Sequence, residues 1–162
     1  MRRRFDMLRR GFSLIELSLI LATVAVIAAV AIPRYTSAVQ HYQLDSAARQ
    51  IAADIALAKA RANFGSTAVT ITFNPSNNSY QIVGMPALNG ASGWYTVNLA
   101  ADPYHVTLSS ATFGNGATPA NGAQLTFDGY GSPATGGSVV ISNARSQRTI
   151  SVDGSSGSIS VQ

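Results

Sequence analysis

Leu14 to Ile32 reads LIELSLILATVAVIAAVAI, nineteen residues with a single charge, Glu16. As a helix rising 1.5 Å per residue it would be about 28 Å long, enough to cross the hydrocarbon core of a bilayer. The run is longer than the roughly 7–15 residues of a secretory apolar region, and no A-x-A pattern follows it. Arg2, Arg3, Arg4, Arg9 and Arg10 precede it, against one acid, Asp6. That bias predicts a cytoplasmic N-terminus and a translocated C-terminal part. Glu16 is out of place in a plain anchor. A carboxylate at the centre of such a span costs about 2.5–3.5 kcal/mol, less near its edge, so it is expected to serve a function and to need a partner.

The composition excludes several classes. The 162 residues amount to about one domain. Charged residues make up only 11%, against about 25% in an average chain, which argues against a highly charged disordered protein or a long charged coiled coil. There is no cysteine, so thiolate metal sites, cysteine nucleophiles and disulfides are excluded. The net charge of +4 resides entirely in residues 1–11, because the remaining basic and acidic residues balance. Bulk charge therefore gives no warrant for nucleic-acid binding.

The run Arg9-Arg-Gly-Phe-Ser-Leu-Ile-Glu-Leu17, continued by the apolar span and by Ile32-Pro33-Arg34-Tyr35, resembles the N-terminal signal of type IV pilins. The resemblance implies a basic leader, residues 1–11, removed by a prepilin peptidase that cuts between Gly11 and Phe12. The same enzyme, acting as N-methyltransferase, would methylate the new amine of Phe12. Glu16 then falls at the fifth mature position, where the family uses a glutamate to pair with the N-terminal amine of a neighbouring subunit during filament assembly. That role suits the physics, since opposite charges in apolar surroundings attract strongly and each alone is costly.

Residues 12–33 are expected to form the transmembrane and assembly helix, and residues 34–64 an amphipathic stalk. Pro33 should kink the helix rather than end it, because good helix formers resume after it. Leu44, Ala48, Ile51, Ile55, Ala58 and Ala62 recur at steps of four and three, one apolar face of a helix. Asp45 and Arg49 suit an i,i+4 pair. Asn63-Phe-Gly65 reads as the stop, with Gly65 as the C′ residue. A helix from Phe12 to Asn63 would be roughly 75–80 Å long, so half is expected in a membrane or filament and half on the outer domain.

After Gly65 the composition changes. Thirteen of the fourteen glycines lie at or after Gly65, and short alternating runs appear. Val69–Phe73 and Tyr80–Val83 flank the turn cluster Asn74–Ser79 and read as a hairpin. Further strands are expected near Tyr95–Leu99, Val106–Leu108, Gln124–Phe127, Ser138–Ser142, Thr149–Val152 and Ser158–Val161, with surface loops at 84–93 and 114–123. The expected fold is α+β: a long N-terminal transmembrane and stalk α-helix packed on a C-terminal antiparallel β-sheet domain, residues 65–162.

Within the pilin family, the A-x-x-x-A-x-x-x-A-x-A pattern before Asn63 resembles the H-type minor pseudopilins of type II secretion and the FimT-like minor pilins. So does the ending with Phe127-Asp-Gly129, Val139–Ile141 and Arg148-Thr-Ile-Ser-Val152. This implies a structural protein of the inner membrane whose β domain is periplasmic. Its implied partners are other pilins or pseudopilins, the inner-membrane assembly platform and membrane lipid. The implied role is at or near the tip of a pseudopilus that supports secretion; a minor pilin contacting DNA or a surface is the alternative.

No catalytic constellation stands out, and neither enzyme activity nor a cofactor or metal is expected. His41 reads as a solvated stalk residue and His105 as a structural residue at a strand start. Asp128-Gly-Tyr-Gly131 and Asp153-Gly-Ser-Ser-Gly157 read as turns, since they lack the further acids of a calcium loop. Gly114-Asn-Gly116 lacks the Lys-Ser/Thr of a phosphate loop. Trp94-Tyr95 reads as half-buried packing or, if exposed, a partner contact. Arg145 and Arg148 read as the solvated tip of a late hairpin. Some FimT-like pilins bind DNA through C-terminal arginines, and the resemblance makes these two the candidate DNA-binding residues.

Overall fold

The computed structural model describes residues 12–87, 92–114 and 122–162. The leader expected at residues 1–11, Gly11 included, lies outside the described residues, as do residues 88–91 and 115–121 of the two expected loops, and with them Asn115 and Gly116. The chain divides into two units between Val39 and Gln40.

Helix α1 runs from Leu14 to Gly65 without a break at Pro33. Its first part forms the N-terminal unit and holds an 18-residue window of mean hydropathy 2.6, none of it buried in the chain. Two hydroxyls within it bond their own helix: Ser18 Oγ donates to the Ile15 carbonyl and Thr23 Oγ1 to that of Ile20, both at 2.8 Å. Such back-bonding satisfies the polar atoms internally, so the surface left facing outward is apolar.

From Gln40 onward α1 belongs to the second unit. All six residues of the predicted stripe, Leu44 through Ala62, are buried, and Ala47 and Asp54 join them. The helix stops one residue later than its sequence suggests. Ser66, not Gly65, takes the left-handed conformation (φ 49°). The Thr67 N–H then reaches the Ala62 carbonyl at 3.2 Å and the Ser66 N–H reaches that of Asn63 at 3.3 Å. This is the Schellman pattern, which satisfies carbonyls that the helix end leaves open.

Eight strands follow: β1 (Val69–Asn74), β2 (Ser79–Pro86), β3 (Trp94–Asn98), β4 (Thr107–Phe113), β5 (Ala123–Phe127), β6 (Gly137–Ser142), β7 (Gln147–Val152) and β8 (Ile159–Val161). They form two antiparallel sheets, ordered β3-β2-β1-β5 and β4-β6-β7-β8. The expected β1–β2 hairpin closes through a short 3₁₀ turn at Pro75–Asn77. Beyond it Asn78, in the left-handed region at φ 47°, links the sheets. Its carbonyl accepts from Leu99 N–H (2.8 Å) and its side chain accepts from Leu108 N–H (2.9 Å).

Two boundaries depart from the sequence reading for one physical reason, the β-bulge. β4 is seven residues long rather than the three expected, because its register shifts between Leu108 and Ser110. The extra residue places Leu108 and Ala111 both inward and breaks the period-2 alternation. β2 likewise continues through a register shift between Ile82 and Pro86, with Gly84 at φ 83°. Residues 84–86, expected in a loop, are therefore strand, and Met85 is buried.

The alternating inward residues of the strands form one core with the helical stripe. Phe73 sits at its middle, with ring centroids 5.6 Å from both Tyr80 and Phe113. Phe73 lies on the first sheet and Phe113 on the second, so this aromatic contact joins the two inner faces.

Candidate functional site

The N-terminal unit presents Phe12, 75% exposed, just ahead of α1, and places Glu16 in the helix's first turn. The partial positive charge of a helix N-terminus favours a carboxylate there. Leu14, Ile15, Leu19, Ile20, Val24 and Ile27 are all exposed around and beyond Glu16. The arrangement is a lone anion four residues from Phe12 on an otherwise apolar surface. It can accept a hydrogen-bonding cation, and the apolar surroundings would strengthen that pairing.

In the second unit the sequence reading missed a buried, multiply bonded acid. Asp54, 4% exposed, is the buried charged residue of the core among the described residues. The Tyr80 hydroxyl donates to its Oδ2 at 2.6 Å and the Tyr95 hydroxyl at 3.1 Å, while Gln50 Nε2 donates to Oδ1 at 3.1 Å. Burial first, then the Asp54 charge, raises both phenols: Tyr95 is pushed up to about 12, and Tyr80 also upward. The cluster ties α1 to β2 and β3. Asp54 follows Ile51 by three residues and precedes Ala58 by four, so its place on the apolar face was legible. Its partners were not.

The basic pair divides. Arg145 lies in the β6–β7 turn and lines a hollow of about 280 Å³ with Ser142, Asn143, Ser146 and Gln147. Arg148, expected in that turn, belongs instead to β7. Its Nε lies 3.8 Å from Asp45 Oδ1, and Asp45 also holds Arg49 at 2.8 Å, the expected i,i+4 pair. Asn143 organises the turn: its Oδ1 accepts from the N–H groups of Arg145 (3.0 Å) and Ser146 (2.9 Å). Its Nδ2 donates to the Gln40 carbonyl of α1 at 2.9 Å. The turn is thus pinned to the helix, and Arg148 faces an acid.

The two aspartate motifs are turns, as read. Asp128 Oδ1 accepts from Tyr130 N–H (2.9 Å) and Ser132 N–H (2.8 Å). Gly131 closes that turn at φ 78°, a conformation that favours glycine. Asp153 Oδ1 takes the hydroxyl and N–H of both Ser155 and Ser156, which hold its carboxyl below the usual range, the Ser155 hydroxyl most of all. Lys59 Nζ fastens this last loop to α1 through the carbonyls of Ser156 (3.0 Å) and Gly157 (3.1 Å).

His41 is exposed on α1. His105 does not begin a strand: it lies in the turn before β4 at φ 51°, with Nε2 2.6 Å from Asp102 Oδ1. The short turn brings together a pair that sequence spacing did not suggest. Trp94 and Tyr95 face opposite ways, Trp94 half-exposed and Tyr95 turned toward Asp54. Among the described residues no group of three His, Asp or Glu side chains could hold a metal ion.

The family model described as type II transport protein GspH matches residues 47–157 of the chain. No curated protein matches it. Among solved structures it is similar to the type IV minor pilin FimU of Pseudomonas aeruginosa, strain PAO1. In one crystal form the TM-score is 0.52 at 18% identity, covering 75% of this chain and 90% of FimU. In a second crystal form it is 0.50 at 19% identity, covering 74% and 92%. At that identity the likeness is one of fold.

Proposed function

The chain belongs to the family of the type II transport protein GspH, and on that premise we propose that it acts as a minor pseudopilin at or near the tip of a type II secretion pseudopilus. One observation carries this reading. A GspH-type β domain shares its chain with an exposed, span-length apolar helix whose first turn holds Glu16.

In this proposal the prepilin peptidase cuts between Gly11 and Phe12 and methylates the Phe12 amine. Cleavage removes the basic leader and creates the cation that Glu16 of a neighbouring subunit accepts. Before assembly the apolar part of α1 lies in the inner membrane with the β domain in the periplasm. Within the filament the apolar helix packs among other pseudopilins above the assembly platform, with Pro33 as the point of bending. No step requires a catalytic group, in keeping with a structural protein.

Deleting the protein and quantifying secreted proteins by mass spectrometry tests the secretion role. Specific exoproteins should disappear from the medium and accumulate in the periplasm; an unchanged secretome would overturn it. Glu16→Ala tests the assembly role: the variant should be cleaved normally yet enter filaments at less than about a tenth of the normal level, since a buried charge pair loses one member. Normal incorporation would refute the pairing.

The fold shared with FimU favours a second reading, a minor pilin of a type IV pilus. There Arg145, in the β6–β7 turn, would contact DNA or a surface, and Arg148 would have to leave Asp45 to join it. Salt-dependent DNA binding that falls in Arg145→Ala/Arg148→Ala would favour that reading.

A further inference from the structure

The outward face of the β3-β2-β1-β5 sheet is chemically unusual. Its four strands comprise 24 residues and contain no Asp, Glu, Lys, Arg or His. An average composition would put about six charged residues there. Alternate residues of a half-buried strand share the outer face. Here those outer positions are mostly threonine, serine, asparagine or glutamine, with Val83 and Trp94 as large apolar exceptions.

At one end of this face is a hollow of about 310 Å³ lined by Thr72, Asn74, Asn77, Ser79, Gln81 and Thr96, beside Tyr80. It lies at the small end of ligand sites, which run from about 300 to 1,000 Å³. The register places Thr72, Gln81 and Thr96 directly abreast on β1, β2 and β3. Asn74 flanks the 3₁₀ turn without capping it, so its amide is not engaged there. On the same face Thr70 and Thr126 close on one another at 3.0 Å, and Thr96 Oγ1 donates to the Trp94 carbonyl at 3.1 Å, which leaves the Thr96 oxygen to accept. Trp94 is half-exposed and stands two residues from Thr96 on the same side of β3.

From these features we infer that this face is a binding site for a neutral polyhydroxylated chain, an uncharged oligosaccharide. Hydroxyl and amide groups both donate and accept, as sugar hydroxyls do. The glutamine amide, flanked by two threonines, can bridge adjacent hydroxyls of one ring, and the Trp94 face offers an apolar plate for the C–H side of the next. A nucleic acid is disfavoured because the face has no cation for phosphate. Every residue of the site belongs to the β domain, so none is shared with the Glu16 segment.

Trp94 is the chain's single tryptophan, so its fluorescence reads this face directly. The full chain, in micelles of a detergent without a sugar head group, is titrated with cellohexaose, maltohexaose and the N-acetylglucosamine hexamer. A saturable change in emission is expected with at least one, at a Kd between about 0.1 and 1 mM, the range for a shallow hydrogen-bonding site. The N-acetylated arm alone responding identifies an acetamido ligand; the glucan arms identify a plain hydroxylated one. Gln81→Ala and the near-isosteric Thr72→Val should each weaken binding about tenfold while circular dichroism and the free emission spectrum stay unchanged. No saturable change up to about 10 mM, undiminished binding by both variants, or a response only to single-stranded DNA or a sulfated hexasaccharide would overturn the assignment.

Discussion

Asp54 shows how much a single side chain can tie together. It receives hydrogen bonds from Tyr80, Tyr95 and Gln50 in the buried seam between α1 and the first sheet. Asp54→Ala leaves the Tyr80 hydroxyl buried without its acceptor and should lower the unfolding free energy by about 2–3 kcal/mol, while Asp54→Asn should cost less. Urea titrations of both variants measure this. The raised phenols make a second prediction. A phenol whose folded pKa exceeds its ordinary value of 10 contributes stability that is full below pH 10. For Tyr95 that contribution is lost as pH rises toward about 12, and Tyr80 acts in the same direction. The urea midpoint should therefore fall between pH 10 and 12, and Tyr95→Phe should flatten the fall. A midpoint independent of pH there would contradict the geometry. The carboxylate's position on the helical face could be read from spacing; the tyrosines, 26 and 41 residues away, could not.

At the scale of elements, α1 depends on which residues it buries. Ile51 is fully buried at the centre of the stripe. Ile51→Ala removes three carbons from a packed core and should cost about 2–5 kcal/mol, checked by urea or thermal unfolding. A loss below about 1 kcal/mol would mean that the stripe packs loosely. The stripe was legible because helical periodicity repeats over five intervals. β1 and the first part of β2 were legible because they alternate cleanly. β4 was legible only at its start: a bulge cancels alternation, and Ser109-Ser110 resembles a turn in sequence. The helix stop was nearly right, but the left-handed position fell to Ser66 rather than to the neighbouring glycine. Arg148 was misplaced by its nearness to a turn, and the β6–β7 register moved it into the strand opposite Ile141.

For the whole molecule, the division at Val39/Gln40 makes a physical statement. Among the described residues, every buried core residue lies at or beyond Leu44. A chain beginning at Gln40 should therefore fold, remain soluble and be monomeric by sedimentation, whereas the full chain should partition into membranes or detergent. Aggregation of the shortened chain, or loss of its near-ultraviolet circular dichroism, would show that its core needs the N-terminal segment. Ser142, Asn143 and Ser146 gather into a turn pinned to the helix through the Gln40 carbonyl. For that reason the shortened chain should keep Gln40.

The membrane-length helix, the position of Glu16 five residues beyond Gly11, the buried stripe of the stalk and the α+β class follow from the order of residues alone. Each is a property of consecutive residues: hydropathy, motif spacing and short periodicity survive in one dimension. The strand order of the two sheets, the Asp54–tyrosine seam, the pairing of Arg148 with Asp45 and the uncharged face around Gln81 depend on the folded chain. These arise where residues distant in the chain meet, and pairing geometry alone selects which of many compatible neighbours each side chain finds.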